Sequence, residues 1–353
     1  MSDPVIIRQE GGVGQITLNR PDALHALNQS MCEMVLDALA AWRDDPAVFI
    51  VLVDHAEGTR GFCAGGDIRM LAESGAGDAS AARAFFNAEY RMNVAIKTFP
   101  KPYVSILDGV TMGGGVGLSV HGSHRIATER TLFAMPETGI GLFPDVGGGW
   151  FLPRLYGQLG TWLALTGARL KGAEVQAARI ATHFVPSELV ENLRRQLLHT
   201  DFSAGAAEMV GEVLNRASHA PPSASFAAHL DTINTCFAPD RAEEIEAALA
   251  ASDAPWAADQ LAVLRTKSPE TVKTALRQLR EGARCETFQD NMAMEYRIGW
   301  RKVQSADFAE GVRAVIVDKD NAPQWQHASI ADVPDAMIDA YFAPLGEDEL
   351  RFD

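Results

Sequence analysis

The sequence predicts an α/β protein with an added helical region towards its carboxyl end. From the N-terminus to about residue 185, β-rich runs alternate with helical patterns, an alternation typical of βαβ units. After about residue 187 the strand patterns almost vanish, and Ala, Glu, Leu and Arg recur at helical spacing. Glycine clusters at 65–66, 113–115 and 147–149 follow several of the strands. Ligands usually bind at such strand ends in α/β sheets.

The individual elements are legible from local patterns. Strands are predicted at residues 15–18, 48–53 and 103–107, and helices at 30–42 and over the segment that ends at Phe99.

Helix starts in the carboxyl half are marked by capping patterns. Ser268 followed by Pro269 predicts an N-cap, and Asp240 three positions before Glu243 predicts a capping box. Residues 221–225 (PPSAS) are the best internal linker candidate, interpreted as a loop within the helical part rather than as a domain boundary.

Composition excludes several classes of protein. The 353 residues are 47% hydrophobic and 22% charged, which is typical of a folded globular chain and not of collagen, a disordered chain or a disulfide scaffold. The balance of 31 Lys+Arg against 46 Asp+Glu gives a net charge of −15, which argues against nucleic acid as a partner. The four cysteines form no CxxC pair, and the chain has no GxGxxG or P-loop motif, so no metal, dinucleotide or ATP site is predicted.

The sequence also leads us to expect a cytoplasmic protein without a membrane anchor. The first residues carry no basic segment followed by an apolar one, and no apolar run approaches the ~18 residues that a membrane-spanning helix needs.

Two acidic residues stand in an unusually apolar, glycine-rich stretch. Glu137 and Asp145 are eight positions apart within residues 135–149. Desolvation would favour a carboxyl group suited to proton transfer or nucleophilic attack. Alternatively, Glu137 caps a helix and Asp145 begins a turn after Pro144. The spacing by itself favours neither interpretation.

A third acidic residue lies on an apolar helix stripe. Phe85, Glu89, Met92 and Ile96 follow the spacing i, i+4, i+7, i+11. Glu89 is therefore either at the edge of the stripe, where it reaches solvent, or in a pocket lining, and the pattern alone favours the edge.

Backbone N–H groups in two glycine-rich segments are the last feature of the predicted site. Residues 63–67 and 112–115 each follow a predicted strand and open a predicted helix. Two helix N-termini that face one point form an oxyanion hole, which polarises a carbonyl group. The alternative is that both segments are merely tight turns.

Several of these motifs together resemble the enoyl-CoA hydratase/isomerase (crotonase) superfamily. They are residues 62–68 (FCAGGDI), the glycine-rich residues 109–117, Pro136-Glu137 with the sequel described above, and residues 307–314 (DFAEGVRA). Residues 111–119 and 135–155 more narrowly resemble its 3-hydroxyacyl-CoA thioester hydrolases, and the similarity extends to residues 294–297 and 317–320.

The resemblance implies a fold and a set of donors. It implies a crotonase-like ββα spiral core at residues 1–200, which binds acyl-CoA, and a helical region at 201–353 that packs on it. The N–H groups of Gly66 and Gly114 match the oxyanion hole for the thioester oxygen. The first catalytic glutamate of hydratases falls on Gly117, which puts a two-glutamate hydration mechanism in doubt.

The resemblance also implies a role for each of the three acidic residues. Glu137 matches the second glutamate and Asp145 an aspartate of the hydrolases. Glu89 matches a substrate-contacting glutamate, which favours the pocket interpretation. With Gly114, these three would bind the substrate; Glu137, as nucleophile or general base, and Asp145 would be catalytic.

The implied reaction is hydrolysis of a short branched 3-hydroxyacyl-CoA, such as (S)-3-hydroxyisobutyryl-CoA in valine catabolism, without a metal or redox cofactor. The alternatives are an enoyl-CoA isomerase or hydratase and a non-catalytic acyl-CoA-binding protein. A homo-oligomer is possible. Arg20, Arg69 and Lys273 are candidates for the CoA phosphates, although solvated surface charge is the simpler interpretation of each.

Overall fold

The computed structural model describes residues 3–352 and divides them into two compact units. The sheet unit comprises residues 3–66, 91–133 and 170–224, and the helical unit comprises residues 67–90, 134–169 and 225–352. The predicted α/β class with a helical carboxyl-terminal region is confirmed. Among the described residues, no helix is both long enough and apolar enough to span a membrane.

The strands are short and end at residue 184. They are β1 Val5–Glu10, β2 Val13–Leu18, β3 Ile50–His55, β4 Gly61–Cys63, β5 Tyr103–Leu107, β6 Val110–Met112, β7 His124–Ala127, β8 Leu132–Ala134, β9 Leu170–Lys171 and β10 His183–Phe184.

The helices continue to the carboxyl end. They are α1 Gln29–Arg43, α2 Ile68–Gly75, α3 Ser80–Lys97, α4 Gly114–Val120, α5 Gly148–Phe151, α6 Leu159–Thr166, α7 Ala173–Ala177, α8 Ser187–His199, α9 Ala206–Ala217, α10 Leu230–Cys236, α11 Ala242–Ala251, α12 Pro255–Leu264, α13 Pro269–Gly282, α14 Phe288–Lys302, α15 Ala306–Val312 and α16 Asp335–Phe342.

Two sheets organise the first unit. The larger has the order β1-β2-β3-β5-β7-β10, antiparallel between β1 and β2 and parallel throughout the rest. The smaller has the order β4-β6-β8-β9, with β4 and β6 parallel. Parallel neighbours direct their carboxyl ends to one edge. The loops after β4 and β6 therefore leave the smaller sheet together.

Apolar side chains from the larger sheet and two helices form the core of the sheet unit. Val190, Leu193 and Leu197 recur on one face of α8, as an amphipathic helix requires. They pack with side chains of the strands and of α9: Val13, Ile50, Leu52, Val104, Ile106, Ile126, Val210, Val213 and Leu214. Every residue of β3 is buried, which explains the apolar run of residues 50–53 with which the strand begins.

A helix begins at or next to each of the two predicted starts, but only one of the two predicted caps is confirmed. Ser268 caps α13, where its side chain accepts a hydrogen bond from the Thr271 N–H. At α11 the N-cap is Arg241, without a side-chain capping bond. Asp240 instead pairs with Arg280, at 2.9 Å between Oδ1 and Nε. A charged partner from another helix thus outcompetes the local cap.

A buried ion pair joins three helices of the helical unit. Lys302 of α14 donates to Oε1 of Glu270 in α13 at 2.5 Å, and both side chains are fully buried. The Tyr341 hydroxyl, from α16, donates to the same oxygen. A buried pair of this kind is costly to break, because the remaining charge would have no partner.

The linker candidate at residues 221–225 lies where the chain leaves the sheet unit. Residues 221–224 have no regular structure and precede a short 3-10 helix, Ser225–His229. The chain passes into the helical unit between residues 224 and 225. The division into 1–200 and 201–353 stays a prediction.

Candidate active site

Each of the two glycine segments connects a strand to a helix, as predicted. β4 ends at Cys63 and is followed by Gly66 and then by Asp67, whose side chain caps α2 by accepting from the Met70 N–H at 3.3 Å. β6 ends at Met112, and α4 begins at Gly114. The first N–H groups of a helix have no acceptor within it. The Gly114 N–H can therefore donate to a ligand.

Close packing within the sheet unit explains one of these glycines. A Cβ atom at Gly115 would lie 2.4 Å from the Cys63 carbonyl oxygen, closer than any side chain tolerates. Glycine thus lets α4 rest against the strand that leads to Gly66. Gly117 lies inside α4, and the helix sequence GGVGLSV contains no carboxylate.

The three predicted acidic residues are all buried in the helical unit. Glu89 of α3 is 2% exposed, Glu137 is 4% exposed and Asp145 is 5% exposed. The edge interpretation of Glu89 is therefore wrong. Glu137 begins a 3-10 helix, Glu137–Ile140, without a side-chain capping bond, so the capping alternative is wrong too. Asp145 does begin a turn, since its carbonyl oxygen accepts from the Gly148 N–H at 2.8 Å.

Electrostatic coupling connects these carboxyl groups. Burial and then the charge of Asp145 raise the pKa of Glu137 well above its ordinary value. Burial, followed by the charges of Asp145, Glu137 and Glu295, raises the pKa of Glu89 in the same way. Burial also raises the pKa of Asp145 to about 7. With a pKa of about 7, Asp145 can exchange protons near neutral pH, as a general acid or base must.

Tyr90 is a member of the cluster that sequence reasoning missed. Its hydroxyl donates to Oδ2 of Asp145 at 2.9 Å, and the side chain is fully buried. This hydrogen bond lowers the pKa of Asp145 and so partly opposes the effect of burial. The two residues are 55 positions apart, so no local pattern could have joined them.

Two oxygens of the cluster are left for other partners. Oε1 of Glu89 and Oε2 of Glu137 are buried, and neither has a hydrogen-bond partner among residues 3–352. Buried polar atoms are normally hydrogen-bonded. Each of these two oxygens can therefore accept a hydrogen bond from a further group.

One of the candidates for the CoA phosphates is already engaged. The Lys273 ammonium group donates to Glu243 at 2.9 Å and to Asp335 at 2.7 Å. It is neither an unpaired cation nor a solvated surface charge. Arg20 donates to the Ala26 carbonyl oxygen at 2.9 Å, and Arg69 is exposed.

Comparison with known proteins identifies the family. Residues 13–342 match the family described as enoyl-CoA hydratase/isomerase. The chain belongs to this family. The resemblance seen in the sequence is thereby confirmed.

Curated relatives match nearly the full length of the chain. It is 47% identical to a mouse protein named 3-hydroxyisobutyryl-CoA hydrolase, mitochondrial, over 99% of this chain and 91% of the relative. The human protein of the same name is 45% identical, with the same coverage.

Solved structures carry other names. A carnitinyl-CoA dehydratase from Mycobacterium thermoresistibile has a TM-score of 0.92 and 40% identity and covers 100% of this chain and 99% of its own. An enoyl-CoA hydratase from Rhodobacter sphaeroides has a TM-score of 0.89 and 41% identity. The match covers 99% of this chain and 100% of that one. The fold is thus confirmed as that of the family.

The Tyr90 hydrogen bond has a measurable consequence. Replacing Tyr90 with Phe removes a donor that favours the Asp145 carboxylate. The pKa of Asp145 should therefore rise from its value of about 7. NMR titration of ¹³C-labelled aspartate carboxyl carbons, assigned with an Asp145→Asn variant, measures this pKa. Tyr103→Phe is the matched control, because the Tyr103 hydroxyl donates to the Leu118 carbonyl oxygen. An unchanged Asp145 titration in Tyr90→Phe would contradict the coupling.

Proposed function

We propose that the protein hydrolyses the thioester of a short 3-hydroxyacyl-CoA, with (S)-3-hydroxyisobutyryl-CoA as the preferred substrate, in valine breakdown. The observation that carries the proposal is the burial of Glu137 and Asp145 in one coupled cluster, while α4 presents Gly117 and no carboxylate. The name 3-hydroxyisobutyryl-CoA hydrolase, borne by relatives 45–47% identical over nearly the whole chain, supports it.

The same observation weighs against the other reactions of the family. Hydration in this superfamily uses two glutamates, and the first falls on Gly117 here. Isomerisation needs only a glutamate at the Glu137 position, which leaves the buried Asp145 and Glu89 without a task. A non-catalytic binding protein would have no need of three buried acids, whose desolvation is costly.

Backbone donors would stabilise the charge that develops on the substrate. In the proposed mechanism the N–H groups of Gly66 and Gly114 bind the thioester oxygen. As the carbonyl carbon becomes tetrahedral, negative charge collects on this oxygen. Each such donor lowers the barrier by about 3 to 4 kcal/mol.

Glu137 would carry out the bond-forming step by one of two routes. Its carboxylate attacks the carbonyl carbon, the carbon–sulfur bond breaks, and CoA leaves as a thiol after taking up a proton. Water then hydrolyses the resulting anhydride. Alternatively, Glu137 takes a proton from water, which attacks the same carbon directly. Both routes yield free CoA and a 3-hydroxy acid.

The remaining acids would orient the reactants. Asp145, fixed by Tyr90, contacts the substrate hydroxyl or the water, and the unpartnered oxygen of Glu89 accepts a hydrogen bond from the 3-hydroxyl group. No metal or redox cofactor enters this scheme. A homo-oligomer stays a prediction, as does a cytoplasmic location, which the word mitochondrial in the relatives' names does not support.

A panel of thioesters tests the reaction class. We expect thiol release from (S)-3-hydroxyisobutyryl-CoA and more slowly from 3-hydroxypropionyl-CoA, without absorbance change from crotonyl-CoA or a 3-enoyl-CoA. Free thiol and double-bond absorbance are followed together in each assay. Absorbance change without thiol release would contradict the hydrolase and favour a hydratase or isomerase.

Single substitutions test the two catalytic assignments. Glu137→Gln should lower kcat about 10²- to 10⁴-fold, because the base or nucleophile is lost. Asp145→Gly should abolish hydrolysis but leave CoA binding, measured calorimetrically, largely intact. Glu33→Gln on the exposed face of α1 is the control and should retain full activity. Full turnover by either site variant would remove that residue from the mechanism.

The negative charge of the acidic cluster predicts which acyl groups the protein rejects. Methylmalonyl-CoA matches the preferred substrate in size but carries a carboxylate in place of the hydroxymethyl group. Placing an anion beside the buried Glu89 and Asp145 costs several kcal/mol, and each 1.4 kcal/mol is a factor of ten. We expect kcat/KM, from thiol release, to be at least about 10²-fold lower than for the hydroxylated substrate. Values within tenfold would contradict a purely acidic acyl pocket.

A further inference from the structure

Glu295 of α14 is a further buried acid, and its charge helps to raise the pKa of Glu89. Its carboxylate accepts four hydrogen bonds. Oε2 accepts from the Gly147 N–H at 2.7 Å, and Oε1 accepts from the Gly149 N–H at 2.8 Å. Oε1 also accepts from the side-chain amides of Asn291 at 2.9 Å and Gln278 at 3.0 Å. All four partners donate and so favour the ionised form of this fully buried side chain, while burial outweighs them and raises the pKa of Glu295 to about 8.

The two backbone donors belong to the loop that carries Asp145. Gly147 follows Asp145 by two positions and has a positive φ of 87° as the N-cap of α5. A Cβ atom at Gly149 would lie 2.6 Å from Oδ1 of Asn291 and 3.1 Å from Oε1 of Glu295. The loop backbone is thus pressed directly against the polar side chains of α14.

The same network also holds the loop on the other side of Asp145. Nε2 of Gln278 donates to the Pro144 carbonyl oxygen at 2.7 Å as well as to Glu295. The backbone is therefore fixed immediately before Asp145 and again two residues after it. With Tyr90 holding the carboxylate itself, few degrees of freedom remain for this side chain.

We propose that Glu295 is a positioning residue for Asp145, anchoring the 144–149 loop so that the Asp145 carboxylate is held in its productive place. This inference rests on the proposed function only for the reaction that Asp145 serves. The anchoring itself follows from the four hydrogen bonds. A displacement of about 1 Å in a reacting group is enough to lower a rate about 10²-fold.

A carboxylate suits this position better than its amide. In Glu295→Gln, the remaining oxygen can keep the three donors now on Oε1, but the new NH₂ group then faces the Gly147 N–H, a donor against a donor. The opposite amide orientation would set NH₂ against three donors. The substitution therefore breaks the contact nearest to Asp145 while it preserves the size of the side chain.

The experiment compares Glu295→Gln with Glu270→Gln. Both residues are fully buried glutamates of the helical unit, but Glu270 binds Lys302 and Tyr341. We expect Glu295→Gln to lower kcat for (S)-3-hydroxyisobutyryl-CoA about 10²-fold, with CoA binding by calorimetry within twofold of the unmodified protein. Its Asp145 NMR titration should also shift. Glu270→Gln should lower the melting temperature without changing kcat or the Asp145 titration.

The outcomes separate this inference from the proposed function. An unchanged kcat and Asp145 titration in Glu295→Gln would overturn the positioning role while the hydrolase stands. An equal loss of kcat in Glu270→Gln would overturn it as well, because the loss would then follow stability. If the unmodified protein releases no thiol, the proposed function fails, and the Asp145 titration alone decides the anchoring.

A milder variant keeps the inference testable if Glu295→Gln does not fold. Gln278→Met retains the length of the side chain but removes the donor to both the Pro144 carbonyl oxygen and Glu295. We expect kcat to fall about tenfold with CoA binding unchanged, since part of the anchor remains. Full kcat in this variant would overturn the role of the network.

Discussion

The desolvation of acidic side chains in the helical unit is the constraint on which the rest of the site depends. Glu89, Glu137, Asp145 and Glu295 are each at most 5% exposed. Removing carboxylates from water is unfavourable unless donors compensate or protons neutralise them. Glu295 is compensated by four N–H donors, Asp145 by the Tyr90 hydroxyl, and Glu137 and Glu89 far less. The cluster therefore contains one acid with four donors and two acids that each keep an oxygen without a partner among the described residues.

This difference in compensation assigns a task to each acid. A fully hydrogen-bonded carboxylate is rigid and orders the backbone that donates to it, as Glu295 does for Gly147 and Gly149. An acid with an unpartnered oxygen, such as Glu137, keeps its capacity to accept from a reactant. Asp145 is intermediate, because the Tyr90 hydroxyl fixes its carboxyl group while its pKa stays near 7. Charge and hydrogen bonding thus divide similar side chains into structural and chemical groups.

Within the sheet unit, the candidate ligand-binding groups are backbone N–H groups rather than side chains. The loops after β4 and β6 leave parallel strands at one edge, and Gly115 permits the close contact between α4 and Cys63. A side chain at Gly115 would separate these segments and with them Gly66 and Gly114. The absence of a carboxylate from α4 then distinguishes the proposed thioester hydrolysis from hydration, although solved relatives named hydratase share the fold.

The sequence by itself determined the α/β class, the principal strands, the Ser268 cap and the acids Glu89, Glu137 and Asp145. The class, the strands and the cap depend on periodicity and on neighbouring residue types, which are local, whereas the pocket interpretation of Glu89 came from the family resemblance. Only the tertiary structure decided that Glu89 is buried rather than at a stripe edge, that Asp240 pairs with Arg280 instead of capping α11, and that Tyr90 and Glu295 belong to the cluster. The physical reason is that desolvation and hydrogen bonding depend on partners distant in sequence, such as Gly147, 148 positions from Glu295.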